Sequence, residues 1–381
     1  MNIIFYTTDL YAGRERLMPW RTVLEIARIM QKDGKSKVIV LNGVKGVTDD
    51  TSYTYHNVHI QGIHKNLKEL AQAVHALQAE VLFIECKWRD AIKGFSPLNK
   101  LECKKYAYFT GGVYDFKSAC LLSKIDQLKN TRAYWLENVI PKTLIGWRLR
   151  QAHFDGAVGL TPYTTDRIRA SGIDYSFTIL PGKDNFEYIK SDESILQKYH
   201  LKNCRFLCFT GAPAPTRGAQ ILLMAADKST IKDLKIVFLM RKDVGSDFSA
   251  FNATYKQMKH PERIIIINEC LSREQLKAFF SQAWYMILPF IVIPSEIPLT
   301  FFEIMSCGTP VLTFENGGTS KYLLDGLLIA KKSKKGLRKA LEKAWSDFST
   351  HEQKAKHAQS LLEKHPTWEQ IAKEWSELLI K

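Results

Sequence analysis

The sequence predicts an α/β protein with two doubly wound halves, each containing a mostly parallel sheet. Short apolar, β-branched segments alternate with amphipathic helical segments along nearly the whole chain, an order that favours parallel strands. This alternation pauses once, at the polar stretch 183–194, and then starts again. The length of 381 residues is also sufficient for two ordinary domains with substantial apolar cores.

The first half begins with one strand–helix–strand unit. Residues 2–8 predict a strand, 22–34 an amphipathic helix and 37–43 a second strand. The loop before this helix holds a single glycine, Gly13, and is therefore not a dinucleotide-binding fingerprint. Residues 48–65 show no regular pattern. Further helices and strands of this half are predicted at 66–80, 81–86, 106–112, 154–161, 161–172 and 177–182.

The second half repeats the alternation and contains the most informative stretch of the chain, residues 288–326. Pro298 predicts the start of a short helix there, because proline is tolerated in a first helical turn. Gly308 predicts the end of this helix, and a β-branched strand and a Gly–Gly turn follow. Open α/β sheets bind ligands at such strand ends. Other elements of this half are predicted at 205–211, 219–229, 234–240, 264–268, 271–283, 284–290 and 335–348.

The basic charge of the chain is concentrated in one segment. The net charge is +15, and residues 87–150 contain 13 basic and 5 acidic side chains. Within 117–150 the basic residues alternate with tryptophans and aliphatic residues, a composition typical of interfacial helices. We therefore expect an anionic membrane surface as a partner, and no nucleic acid. The seven cysteines are scattered, and no signal peptide is recognisable, so we expect a cytoplasmic protein, peripheral on the inner face of the membrane.

Three stretches of the second half carry a family resemblance. The chain reads FTGAPAPTRGA at 209–219, IPSEIPLTFFEIMSCGTPV at 293–311 and ENGGTSKYLLDG at 315–326. These motifs resemble those of the retaining glycosyltransferases of the GT-B fold, in particular glycosyltransferase family 4. The segments at 154–172 and 365–375 resemble, more loosely, the family's sequence before the interdomain linker and its terminal helix.

The resemblance implies a GT-B fold, in which two Rossmann-like domains face each other across a cleft. Residues 1–183 would bind the acceptor, 184–360 would bind the nucleotide sugar, and 361–381 would form a C-terminal helix that packs back on the first domain. The implied enzyme is a retaining, hexosyltransferase-like glycosyltransferase. It would move a sugar from a nucleotide-diphosphate-sugar donor to a hydroxyl acceptor, a sugar or a lipid-linked glycan, in glycan, polysaccharide or glycolipid biosynthesis. No cofactor or metal is expected.

The donor site implied by the resemblance centres on Glu303, whose carboxylate can accept two hydrogen bonds from ribose hydroxyls. The backbone N–H groups near Leu299 and Thr300 lie at a helix N-terminus, which favours a diphosphate. Arg217 and Gly218 match the family's Lys–Gly pair, and arginine offers a bidentate fork to phosphate. The other donor-side residues predicted are Gly211, Arg241, Asn268 and Cys270.

The sugar-side chemistry departs from the family pattern at two places. Six residues separate Glu296 from Glu303, whereas the family has seven. Glu296 is therefore either a ligand of the donor sugar's hydroxyls or a solvent-facing loop carboxylate. The family histidine after the fourth strand is absent, and Asp115 is a polar candidate in that region. Arg217, Glu296 and Asp115 are predicted as catalytic, and the acceptor-side residues predicted are Gly13, Gly111, Gly112 and Tyr114.

Two alternative functions remain open from the sequence. One is a GT-B-type epimerase or phosphorylase that acts on a sugar nucleotide. The other is a non-catalytic relative that binds glycan or lipid, which the altered glutamate spacing and the absent histidine would explain.

Overall fold

The computed structural model describes residues 1–32, 34–110, 118, 120–122, 139–240, 247–292 and 297–379. Their strands form two separate sheets, one of eight strands and one of six. Each sheet has an apolar core on both of its faces. The predicted α/β class with two doubly wound halves is therefore confirmed.

The N-terminal sheet uses the first eight strands of the chain. They are β1 (Asn2–Thr8), β2 (Lys37–Val44), β3 (Tyr53–Tyr55), β4 (Val58–His64), β5 (Val81–Cys86), β6 (Lys104–Phe109), β7 (Gly156–Gly159) and β8 (Ser176–Thr178). The strand order is β3-β4-β2-β1-β5-β6-β7-β8, and only β3 and β4 pair in an antiparallel manner. The helices described in this part are α1 (Trp20–Gln31), α2 (Leu67–Ala76), α3 (Lys142–Gln151) and α4 (Pro162–Arg169).

The stretch 48–65, for which the sequence shows no regular pattern, contains the hairpin of β3 and β4. Its turn is formed by His56 and Asn57, whose φ angles of 46° and 66° suit a two-residue hairpin loop. The strand β3 has only three residues and lies at the sheet edge, so it carries little periodic signal. Sequence reasoning missed the hairpin for this reason.

The C-terminal sheet is parallel between all of its neighbouring strands. Its strands are β9 (Leu207–Gly211), β10 (Ile236–Met240), β11 (Ile264–Ile267), β12 (Tyr285–Leu288), β13 (Val311–Phe314) and β14 (Leu327–Ala330), in the order β11-β10-β9-β12-β13-β14. Its helices are α5 (Ser194–Lys198), α6 (Ala219–Asp227), α7 (Ser249–Lys256), α8 (Arg273–Gln282), α9 (Leu299–Ser306), α10 (Gly317–Tyr322), α11 (Lys334–Ser346) and α12 (Phe348–Lys364). The predicted Gly317–Gly318 turn is thus the beginning of a helix.

Each sheet has one point at which the direction of strand addition reverses. In the N-terminal sheet this point lies between β1 and β5, and in the C-terminal sheet it lies between β9 and β12. A crevice opens outside the carboxyl ends of the strands at such a point, because the flanking connections leave in opposite directions. The topology therefore provides two candidate ligand crevices, one in each unit.

The chain passes between the two units twice, and the two crossings are bonded to each other. The backbone N–H of Lys183 donates to the carbonyl of Pro366 at 3.1 Å, and Lys183 forms a β-bridge with Thr367. A Cβ added to Gly182 would lie 2.6 Å from the Trp368 ring, so the backbone at this crossing packs directly on the indole. The two interdomain segments are therefore paired with each other through their backbones.

The last helix, α13 (Trp368–Glu377), packs on the N-terminal sheet. The ring centroid of Trp375 lies 5.7 Å from that of Phe5 and 5.0 Å from that of Phe83. Because α12 continues to Lys364, the break before this tail falls at residues 365–367, later than the position 361 expected from the sequence.

Candidate functional site

The crevice of the C-terminal unit is bordered by two loops that are bonded to each other. After β9 the chain forms the loop 212–218, and after β12 it runs through 289–292. The backbone N–H groups of Ile291 and Val292 donate to the carbonyl of Thr216 at 2.9 and 3.1 Å. Gly218 has a φ of 79°, and a Cβ added there would lie 2.1 Å from the carbonyl oxygen of Pro289. Only glycine fits this position without displacing the second loop.

Arg217 lies at the end of the single 3₁₀ turn Pro215–Arg217 in the first of these loops. Its guanidinium carbon stands 4.7 Å from the centroid of the Phe290 ring, which belongs to the second loop. This cation–π contact and the bonded loops fix where the positive charge is presented. The sequence-predicted Arg217 and Gly218 are thus brought to the switch point of the sheet.

The helix α9 begins with Pro298 at its N-cap, and its Phe301 ring lies 5.9 Å from the ring of Phe290 in the second loop. Phe301, Phe302, Ile304 and Met305 are buried, so the helix packs on the core through most of its circumference. The first-turn N–H groups around Leu299 and Thr300 have no partner within the helix and carry the positive end of its dipole. Glu303 lies in the second turn and is the one acidic side chain of α9.

The surroundings of Glu303 act on its charge in two directions. Its side chain keeps 22% of its surface exposed, and its Oε1 lies 4.0 Å from a guanidinium nitrogen of Arg273. Burial, followed by the nearby Asp184 carboxylate, raises the pKa of Glu303 to about 7, although Arg21, Arg273 and Arg16 act to lower it. Two of these arginines, Arg16 and Arg21, come from the N-terminal unit. The carboxyl group therefore changes its charge near neutral pH.

Asp184 connects the two units and was not predicted from the sequence. Both of its carboxylate oxygens lie 2.6 Å from a guanidinium nitrogen of Arg21, which belongs to α1 of the N-terminal unit. Arg273 of α8 donates to the same carboxylate at 3.2 Å, and the Trp368 indole N–H donates at 2.9 Å. The signal available in the sequence was an acidic residue near the start of the polar stretch 183–194. These contacts hold elements of both units and of the tail at one point.

Among the other predicted residues, Gly211 ends β9 at this crevice with a φ of 140°. Gly13 lies in the N-terminal unit, where it is exposed and its N–H donates to Glu15 at 3.0 Å. Asn268 and Cys270 are exposed after β11, which is the edge strand. Predicted residues that lie outside the described part of the chain are Glu296, Asp115, Arg241, Gly111, Gly112 and Tyr114.

The crevice of the N-terminal unit holds a buried carboxylate that sequence reasoning also missed. Glu85, near the end of β5, accepts a hydrogen bond at 2.7 Å from the hydroxyl of Thr7, near the end of β1. Thr110, directly after β6, donates to the other carboxylate oxygen at 3.2 Å. A glutamate at the end of the otherwise apolar strand VLFIEC was the available signal.

Among the residues that the structure describes, no group of three or more His, Cys, Asp or Glu side chains could hold a metal ion. No helix in the same part of the chain is long and apolar enough to cross a bilayer.

Gly218→Ala is expected to lower the free energy of unfolding by about 2–5 kcal/mol, because it combines a left-handed backbone with a clash at Pro289. Gly308→Ala is the matched control, since Gly308 has a φ of 74° but no atom within 4 Å of an added Cβ. Its expected cost is about 1–2 kcal/mol. Urea unfolding of both variants measures the difference, and equal costs would contradict the close approach of the two loops.

Comparisons with known proteins agree with this geometry. Residues 191–361 match the family described as Glycosyl transferases group 1. A lipopolysaccharide 1,2-N-acetylglucosaminetransferase of Salmonella typhimurium is 24% identical over 179 residues, which are 45% of this chain and 47% of the relative. The alignment thus spans about half the length of this curated relative.

Solved structures are similar over the whole chain. Sucrose-phosphate synthase from Thermosynechococcus elongatus superposes with a TM-score of 0.72 at 13% identity, covering 99% of this chain and 98% of that one. Anabaena HepE in complex with UDP and glucose superposes with a TM-score of 0.68 at 13% identity, covering 100% and 99%. The expected fold of two Rossmann-like domains, the GT-B fold, is confirmed, and residues 191–361 are similar to the glycosyl transferases group 1.

Proposed function

We propose that this protein is a retaining glycosyltransferase of family 4 that transfers a sugar from a UDP-sugar to a hydroxyl acceptor in glycan biosynthesis. The observation that carries the proposal is the crevice of the C-terminal unit, where the loop after β9 supplies Arg217 and α9 supplies its N-terminus and Glu303. These groups match the phosphates and the ribose of a nucleotide diphosphate. UDP is proposed as the nucleotide because HepE, of similar fold, has been solved with UDP and glucose.

The proposed roles follow from the chemistry of each group. The Arg217 guanidinium and the first-turn N–H groups of α9 bind the diphosphate, so its charge is neutralised without a metal ion. The Glu303 carboxylate accepts hydrogen bonds from the two ribose hydroxyls. The exposed Asn268 and Cys270 then line the side on which the base lies.

The transfer step exchanges one bond at the anomeric carbon for another. The bond from the anomeric carbon to the UDP oxygen breaks, and the acceptor hydroxyl oxygen bonds to the same face of the sugar. The acceptor proton leaves with the diphosphate, and UDP carries away the bonding electron pair. Arg217 acts mainly on this leaving group, because negative charge develops on the diphosphate as the bond breaks.

The N-terminal unit takes the acceptor in this proposal, since its sheet provides the second switch-point crevice. Contacts between the two units include one made by side chains of α4 and α10. Tyr163 of α4 and Lys321 of α10 meet there, with the ammonium 4.9 Å from the ring centroid. The Salmonella relative acts on lipopolysaccharide by its name, which supports a glycan or glycolipid acceptor. Transfer that requires an acceptor separates this function from an epimerase, and any sugar transfer separates it from a non-catalytic binding protein.

Arg217→Ala is expected to reduce turnover of the UDP-sugar by roughly 100- to 1000-fold, because a preorganised contact to the leaving group is lost. UDP release from UDP-glucose or UDP-N-acetylglucosamine is followed in EDTA, with water or a supplied glycan as the acceptor. With water, ¹H NMR of the released sugar should detect the α anomer before it mutarotates. Arg217→Lys should lose less activity, since it keeps the charge but not the fork.

Arg169→Ala serves as the control for this series, because Arg169 is exposed and its ion pair is with Asp166 of its own helix. It should retain full turnover. Turnover of Arg217→Ala within tenfold of wild type would remove Arg217 from the mechanism, and loss of activity in EDTA would contradict the metal-independent proposal.

The affinity for UDP-glucose is expected to rise with pH, because the ionised form of Glu303 accepts the ribose hydrogen bonds and the pKa of this group is about 7. The diphosphate diester of UDP-glucose is fully ionised between pH 6 and pH 8, so the expected change in affinity comes from a group on the protein. Calorimetry at pH 6 and pH 8 should give roughly fivefold to tenfold tighter binding at the higher pH. Glu303→Gln should bind weakly with a flat profile, whereas the same slope in this variant would assign the titration to another group.

A second proposal concerns the membrane surface. Ile92 and Trp147 are exposed apolar side chains of the N-terminal unit, 52% and 43% exposed. Arg148 joins them, since it donates to the carbonyl of Ala91 at 3.2 Å and lies 4.6 Å from the Trp147 ring centroid. With the basic residues of 87–150, this patch supports peripheral binding to the anionic inner face of the cytoplasmic membrane.

Wild-type protein is expected to sediment with vesicles of phosphatidylcholine that contain phosphatidylglycerol, and less with phosphatidylcholine alone. The double variant Ile92→Ala/Trp147→Ala should bind the anionic vesicles roughly tenfold more weakly, because it inserts less apolar area. Tyr188→Ala is the control, since Tyr188 is exposed outside the patch. Equal binding of both variants would place the membrane contact elsewhere, and binding that ignores salt would contradict an electrostatic contribution.

A further inference from the structure

Glu85 is a buried charge at the switch point of the N-terminal sheet, a position for which the donor chemistry has no use. Its side chain is 2% exposed, and the four residues before it in β5 are all apolar. A carboxylate is costly to bury unless donors compensate it. Its neighbours therefore indicate why it is there.

Four donor groups surround the carboxylate oxygens of Glu85. The hydroxyl of Thr7 and the backbone N–H of Thr8 donate to Oε2 at 2.7 and 3.3 Å. The hydroxyl of Thr110 lies 3.2 Å from Oε1, and the ammonium of Lys87 lies 3.3 Å from the same oxygen. Each oxygen thus has two donors, which leaves little capacity for a further ligand. Glu85 is a positioning residue, and the group that it positions toward the crevice is Lys87.

Lys87 presents an ammonium whose position is fixed from behind. Its side chain is 30% exposed, and its backbone N–H donates to Asp90 at 2.8 Å, which holds the turn after β5. Burial lowers the pKa of Lys87, but the Glu85 carboxylate and Asp90 outweigh this effect, and the net pKa is raised. The group is therefore charged at neutral pH. An ammonium has three N–H donors, and the contact to Glu85 uses one of them.

We infer that Lys87, held by Glu85, binds an anionic substituent of the acceptor sugar, a phosphate or a carboxylate, at the crevice between β1 and β5. The inference rests on the proposed function, because it assigns the acceptor to this crevice. The turn that follows β5 also contains two more basic residues, Arg89 and Lys93, and one acidic residue, Asp90. The charge of this turn is therefore positive and favours an anion. A neutral sugar could accept hydrogen bonds from this ammonium, but only an anionic substituent would also complement its charge.

The test compares chemically matched probes on the full chain. Glucose, glucose 6-phosphate, glucuronate and inorganic phosphate are titrated by calorimetry, with and without saturating UDP. Wild-type protein should bind at least one of the two anionic sugars about tenfold more tightly than glucose. The anionic sugar that binds identifies the source of the charge as phosphate or carboxylate.

The variants separate anion binding from a purely structural role. Lys87→Gln leaves Glu85 buried without its cation and can destabilise the fold, so the double variant Glu85→Gln/Lys87→Gln accompanies it, because it removes both charges and keeps neutral hydrogen-bonding groups. Both variants should bind anionic sugars no more tightly than glucose, whereas Lys87→Arg should keep the preference. Lys68→Gln, on the exposed side of α2, should behave as wild type.

Three outcomes would overturn the inference: no preference for an anionic sugar in the wild type, a preference that persists in the double variant, or inorganic phosphate that binds as tightly as glucose 6-phosphate. UDP affinity, measured for every variant, distinguishes this failure from failure of the proposed function. Absent UDP binding in the wild type contradicts the donor site, and intact UDP binding with no Lys87-dependent preference contradicts only the acceptor assignment.

Discussion

The rest of the site depends on the ion pair between Asp184 and Arg21, because it fixes one unit of the molecule against the other. Both partners are largely withdrawn from water, with side chains 12% and 13% exposed. Removing one partner of such a pair leaves an uncompensated charge and typically costs about 3–5 kcal/mol. Asp184 also binds Arg273 and Trp368, so the same carboxylate connects α1, α8 and the tail. These charged contacts lie beside the backbone pairing of Lys183 with Pro366 and the packing of Gly182 on Trp368, so charge, hydrogen bonding and packing together hold the chain crossings.

The two units present different polar groups at the same topological position, the point where the strand order reverses. In each sheet the strand order reverses once, and the crevice at that point has an apolar floor formed by buried strands. The C-terminal crevice presents positive charge from backbone loops and a helix end, as a diphosphate requires. The N-terminal crevice presents hydroxyls and an ammonium around the buried Glu85. Both crevices therefore present positive charge, from an arginine and a helix end in one and from a single ammonium in the other.

The sequence predicted those features that depend on neighbouring residues. Pro298 and Gly308 flank one short helix, so their spacing located it. The roles of Glu303, Arg217 and Gly218 were predicted from the family resemblance of the short motifs that contain them. Asp184 and Glu85 were missed because their partners lie far away in the sequence: Arg21 is 163 residues from Asp184, and Thr7 is 78 residues from Glu85. Such pairs are fixed by sheet order, which local periodicity does not specify.

The contacts of Glu303 imply that nucleotide binding and the interdomain contact influence each other. Arg273 belongs to the same unit as Glu303, whereas Arg16 and Arg21 come from the other unit, and all three act to lower the pKa of the carboxyl group. Burial and Asp184 act in the opposite direction, and the net pKa is raised to about 7. By linkage, a bound ribose that selects the ionised carboxylate would also strengthen its attraction to Arg16 and Arg21 of the other unit.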